Sequence, residues 1–143
     1  VSAMILRGIF LCRPEDLAWF YQHGASRVFP DYWRDYAEHI PAGERGDFMR
    51  AYHQLLTGSN EIARMSAAKA WSLWEAQCAT LRPNHDVIGH FSDPHVALAL
   101  ARIEAHYFVN GAFLEPDQHL LAGWRHRFGD GRHQGANRAR KIP

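Results

Sequence analysis

Two stretches of this sequence set an acidic residue among large apolar neighbours: Trp71-Ser72-Leu73-Trp74-Glu75 and Ala101-Arg102-Ile103-Glu104-Ala105-His106-Tyr107-Phe108. Both read as helix. A carboxylate on an apolar helical face costs free energy to desolvate unless a cation or hydrogen-bond donors meet it. Two of them in one small domain, each beside aromatic rings, suggest a pocket for a cation attached to an apolar ring. The plainer alternative is that Glu75 and Glu104 are surface members of amphipathic helices, satisfied by Arg64, Lys69, Arg102 or water.

The elements that must position these residues are mainly helical. Met4 to Leu11 is an apolar run broken by Arg7 and Gly8, consistent with one short buried strand. Pro14, Glu15 and Asp16 open a helix carrying Leu17, Phe20 and Tyr21, with Gly24 as its stop. Pro30-Asp31 opens a second, which Pro41 ends, and Glu44 to Leu56 reads as a third. Ser59-Asn60 caps a long alanine-rich helix running through Trp71 and Trp74 towards Leu81. Residues 82–94 read as a loop containing Pro83, Asn84, Gly89 and Pro94. Asp93-Pro94 opens the last strong helix, for which Asn110-Gly111 is a left-handed stop. The tail from Trp124 to Pro143 is rich in Gly, Arg and His and is expected to be disordered, because it cannot bury enough apolar surface to offset its conformational entropy.

At 143 residues the chain has a one-domain length, and 47% apolar with 22% charged residues is ordinary for a globular protein. A formal net charge of +1 gives no electrostatic case for nucleic acid or for an acidic membrane surface. Cys12 and Cys78 fit no metal or redox spacing, so free thiols in a reducing compartment are expected. No apolar run approaches the roughly 18 residues needed to span a bilayer, and a cytoplasmic location is the expectation.

Ten histidines invite a metal reading, above all His85, Asp86, His90, Asp93 and His95. Their spacing matches neither a helical ligand pair nor a tight knuckle, so no metal site and no cofactor are assigned. A hydrolase acting alone needs a nucleophile, a base and an oxyanion hole within reach of one another. No serine lies in a Gly-x-Ser-x-Gly elbow, and no catalytic residue is assigned within the chain.

Four motifs resemble, in order and spacing, the proline iminopeptidases (prolyl aminopeptidases) of the α/β-hydrolase superfamily. They are Leu6-Arg7-Gly8-Ile9-Phe10, Tyr21-Gln22-His23-Gly24-Ala25-Ser26-Arg27, Ala67-Ala68-Lys69-Ala70-Trp71-Ser72-Leu73-Trp74-Glu75 and Ala99 to Phe108. The resemblance runs from Val1 to about Leu121. It implies a mainly α fold: a core-strand remnant at 1–12, a helical cap (lid) domain at 13–123, and a divergent tail at 124–143. A chain beginning at Val1 is then expected to start inside a longer one, with the catalytic triad outside it.

The resemblance also implies site roles. Glu75 and Glu104 would bind the free amino terminus of a peptide whose first residue is proline. Phe10, Phe20 and Phe108 would line the proline-ring pocket, with Arg7 at its edge. At the position of Phe20 relatives can carry tyrosine. The expected partners are that peptide and the missing α/β-hydrolase core, and self-association through the uncovered apolar face is anticipated. The rival reading is a non-catalytic helical module that binds a small cationic ligand or a partner protein.

Overall fold

The computed structural model describes Ala3, Ile5 and residues 10–114. The chain divides into two compact units, Val1–Phe113 and Leu114–Pro143, and only the first is described beyond a single residue. Its elements are α1 (Pro14–Ala18), which continues as a π-helical turn at Trp19–His23, a 3-10 turn at Ala25–Arg27, α2 (Pro30–Glu38), a 3-10 turn at Ala42–Glu44, α3 (Phe48–Thr57), α4 (Glu61–Cys78), α5 (His85–Phe91), α6 (Pro94–Val109) and a closing 3-10 turn at Gly111–Phe113. The described part is helical throughout, as the sequence implies. The expected core strand falls at 1–12, where 1, 2, 4 and 6–9 lie outside the described residues; Ala3, Ile5 and Phe10–Cys12 belong to no regular element. The tail at 124–143 also lies outside the described residues.

Helix α4 is the axis of the fold, packed against α2, α3, α5 and α6. Small residues allow the close approach. Ala97, Ala101 and Ala105 recur every fourth position on α6 and are fully buried, as are Ala67, Ala68 and Ser72 on α4. Ser72 Oγ donates to the Ala97 carbonyl at 3.3 Å, so the one buried polar side chain of this contact is satisfied across it.

On the other side of α4 the core is aromatic. Tyr36 of α2 stacks on Tyr52 of α3 at 4.5 Å and on Trp74 of α4 at 5.5 Å. Trp33 stands edge-on to Phe48 at 5.0 Å and to Trp74 at 5.3 Å. Tyr52 Oη donates to the Tyr36 carbonyl at 2.7 Å in the buried interior, tying α3 to α2. Removing that hydroxyl strands a buried acceptor, so Tyr52→Phe is expected to lower stability by about 1–2 kcal/mol. Chemical denaturation of the two proteins checks this, and coincident unfolding curves would contradict it.

Two sequence readings are corrected here. The segment read as a loop at 82–94 holds α5, because Asn84 caps it by accepting from the backbone N–H groups of Asp86 (3.1 Å) and Val87 (3.2 Å). Pro83 precedes this cap and Pro94 follows the helix, so neither breaks it, and Gly89 is tolerated inside. The helix expected from Glu44 starts instead at Phe48, with Asp47 as its cap accepting from the Arg50 N–H at 3.0 Å. The caps read at Asn60 and Asp93 stand as expected, and Gly111 adopts the left-handed φ of +58°.

Candidate functional site

The site is assembled from three elements: the π turn, α4 and α6. On α4, Trp71 and Glu75 are four residues apart and share one face; on α6 the same is true of Glu104 and Phe108. The π turn supplies Tyr21, whose ring is buried and stacks on Trp71 at 4.7 Å with a 19° interplanar angle. A π turn carries one more residue per hydrogen-bonded loop than an α-helix, which re-aims the side chains leaving it. Its placement is fixed at both ends. Gln22 donates to the Arg45 carbonyl at 2.9 Å and accepts from the Phe48 N–H at 3.0 Å, clipping the turn to the start of α3. At the other end, a Cβ on Gly24 would meet the Trp19 ring at 2.2 Å, so only glycine allows that ring to lie where it does.

Each carboxylate receives one hydrogen bond from the stacked pair. Tyr21 Oη donates to Glu75 Oε1, and Trp71 Nε1 donates to Glu104 Oε2 at 2.9 Å. The expected ring-pocket residues surround this arrangement. Phe20 lies edge-on to Tyr21 at 4.8 Å and contacts Trp74 at 5.7 Å. Phe108 lies 5.5 Å from Tyr21 and 6.3 Å from Trp71, and Phe10, 46% exposed, meets Phe108 edge-on at 5.7 Å. Glu75, Glu104, Phe10, Phe20 and Phe108 therefore converge on one cluster. Arg7 lies outside the described residues.

The electrostatics are those of two desolvated carboxylates held close to one another. Burial, reinforced by the charge of Glu104, pushes the Glu75 carboxyl up to about 7 against the opposing effect of the Tyr21 hydrogen bond. Burial likewise raises Glu104, against the Trp71 hydrogen bond. Tyr21 is held well above the usual phenol range by burial and then by the Glu75 charge, so its hydroxyl remains a donor. Among the described residues no ion pair reaches either glutamate. Arg102 is exposed on α6, and Arg64 donates to the Gly58 carbonyl at 3.2 Å. Surface pairing with Arg64, Lys69 or Arg102 therefore does not account for the two acids.

Two other features stand apart from this cluster. A cleft of about 190 Å³ between α2 and α4, lined among others by Tyr32, Asp35, His39, Lys69 and Gln77, includes neither glutamate. The histidine-rich segment is spread over α5 and the start of α6, and among the described residues no three His, Cys, Asp or Glu side chains gather as a metal-binding group.

Comparison with known proteins decides the relationship. Over 127 residues, 89% of this chain and 40% of the relative, it is 51% identical to a proline iminopeptidase of Xanthomonas citri. It is homologous to part of the proline iminopeptidases. The proline iminopeptidase of Xylella fastidiosa is 52% identical over 120 residues, covering 84% of this chain and 38% of the relative. The proline iminopeptidase of Arabidopsis thaliana is 43% identical over 122 residues, covering 85% of this chain and 32% of the relative. The chain thus spans about 40% or less of these relatives' length. No family profile matches the chain. No helix among the described residues is long and apolar enough to cross a membrane.

Sequence reasoning missed the two donors of the site. Tyr21 reads as one more member of an apolar helical stripe, and Trp71 as an aromatic neighbour of Glu75 with no hydrogen-bond role assigned. The only signal was that both lie inside the motifs shared with proline iminopeptidases.

Proposed function

We propose that this chain is the substrate-recognising cap of a cytoplasmic proline iminopeptidase of the α/β-hydrolase superfamily. In this reading the whole enzyme releases N-terminal proline from peptides by serine acyl transfer, with its catalytic triad in parts of the protein that this chain does not supply. The observation that carries the reading is the convergence of Glu75 and Glu104 on one aromatic cluster without a cation among the described residues.

The chemistry matches an N-terminal proline. Its secondary ammonium bears one positive charge and two N–H donors, and two carboxylates in a partly dry site can take one each. Its ring is apolar and fits against Phe10, Phe20 and Phe108. Bringing the ammonium in also favours the ionised form of Glu75, so ligand and carboxylate charge each other's site. An acylated N-terminal proline offers neither the charge nor any N–H donor, since its nitrogen becomes a tertiary amide.

The test is a chimera in which this chain's segment replaces the matching segment of the Xanthomonas citri enzyme. Hydrolysis of a prolyl anilide by the chimera, and none by this chain alone, is the expected result. A folded chimera that no longer cleaves the prolyl anilide would contradict the cap assignment, and turnover by the chain alone would contradict the placement of the triad.

A further inference from the structure

Tyr21 and Trp71 come from separate elements, yet their rings are stacked at 4.7 Å and each donates to a different glutamate. Both rings are buried, at 4% and 0% exposure, so neither can turn without breaking the stack. The Gln22 clip and the Trp19–Gly24 contact hold the backbone that carries Tyr21. Glutamate side chains on two helices are long and would otherwise sample many rotamers, and two like charges would drive them apart. We infer that the Tyr21–Trp71 pair is the positioning device of this site, anchoring one oxygen of Glu75 and one of Glu104 and leaving the other oxygen of each to the ligand's ammonium. The inference rests on the ammonium reading proposed above and adds the residues that set its geometry.

The surroundings of Glu75 agree with this role. Tyr21 faces it from the π turn, Tyr36 from α2, Glu104 from α6 and Cys78 from its own helix. Tyr36 is raised by burial and Cys78 is pushed up to about 12, so both stay neutral and neither competes with an incoming cation. Tyr21 is the hydrogen-bond donor to Glu75 among the described residues.

The experiment follows the Glu75 and Glu104 side-chain carboxyl carbons by NMR titration of the whole chain, assigned with Glu75→Gln and Glu104→Gln. Tyr21→Phe keeps the stacked ring and removes the hydroxyl. Loss of one hydrogen bond to the charged form is expected to move the Glu75 midpoint upward by about one pH unit while leaving Glu104 nearly still. Affinity for prolinamide is expected to fall about ten-fold or more. In the unmodified protein the Trp71 indole N–H resonance should shift with the Glu104 titration, a reading that needs no folded variant.

An unmoved Glu75 midpoint in folded Tyr21→Phe, or a Trp71 indole signal indifferent to Glu104, overturns the inference. If prolinamide fails to bind the unmodified chain while the midpoint still moves, the ammonium reading fails and the positioning role stands. If prolinamide binds both proteins equally with no change in midpoint, the ammonium reading stands and the positioning role fails.

Discussion

Glu75→Gln is expected to stabilise the chain above neutral pH and at the same time to weaken the binding of a prolyl amine proposed for this site. The Glu75 carboxyl titrates at about 7 in the fold against an ordinary value of 4.5, so the folded state binds a proton more tightly than the unfolded state does. Stability contributed by this group is therefore fully present below 4.5 and is lost as pH rises through about 7. The loss corresponds to about 2–3 kcal/mol once residual solvent access is allowed for. Glutamine keeps the oxygen that accepts from Tyr21 and removes the charge, so the variant should gain about that much above pH 7 and almost nothing in acid. Thermal unfolding of both proteins across this range measures the difference. Binding should move the opposite way, weakening about ten- to a hundred-fold with the loss of a charge-assisted hydrogen bond. A residue kept for structure alone would not show gains and losses of opposite sign. If Glu75→Gln destabilises the chain above neutral pH, the desolvated-carboxylate account is wrong.

Ala101→Leu is the second substitution expected to have a large effect. Ala101 is fully buried where α6 lies against α3 and α4. Three added carbons cannot be housed in a contact built from Ala67, Ala68, Ala97 and Ala105 without moving a helix, at a cost of about 1–3 kcal/mol. Glu104 lies on the same helix three residues further on, so the displacement should also separate the carboxylates. The expected result is lower stability together with a fall in the Glu75 midpoint, since the Glu104 charge is one of the causes that raise it. Denaturant unfolding and the carboxyl titration check the two halves. A stable variant with an unchanged midpoint would show that the α4–α6 contact does not set the geometry of the pair.

The legibility of this fold follows the range of the forces involved. Asn60, Asp93, Pro94 and Gly111 were readable because caps and left-handed stops act within one turn of chain. Helix α5 was not, since two prolines and a glycine mask a cap at Asn84 whose hydrogen bonds depend only on a local backbone turn. Helix α3 starts later than the reading at Glu44 because Asp47 caps it, and Gln22, far away in sequence, accepts from the Phe48 N–H beside that cap. At the site, the carboxylates announced themselves as acids among aromatics, and resemblance to a family supplied Phe10, Phe20 and Phe108. The partners that hold the acids were hidden. A π turn has no strong sequence signature, and a tyrosine in an aromatic cluster looks alike whether or not its hydroxyl meets a carboxylate.

Calorimetric titration of the chain with prolinamide, beside N-acetylprolinamide, tests the central claim most directly. Prolinamide is expected to bind, more tightly as pH rises through the Glu75 midpoint of about 7 for as long as the amine keeps its proton, and to expel a proton from the site below that midpoint. N-acetylprolinamide, which has the ring but not the charge, is expected not to bind. Equal binding of the two compounds, or prolinamide affinity indifferent to pH across the midpoint, would contradict the claim that Glu75 and Glu104 form one site for a ligand ammonium.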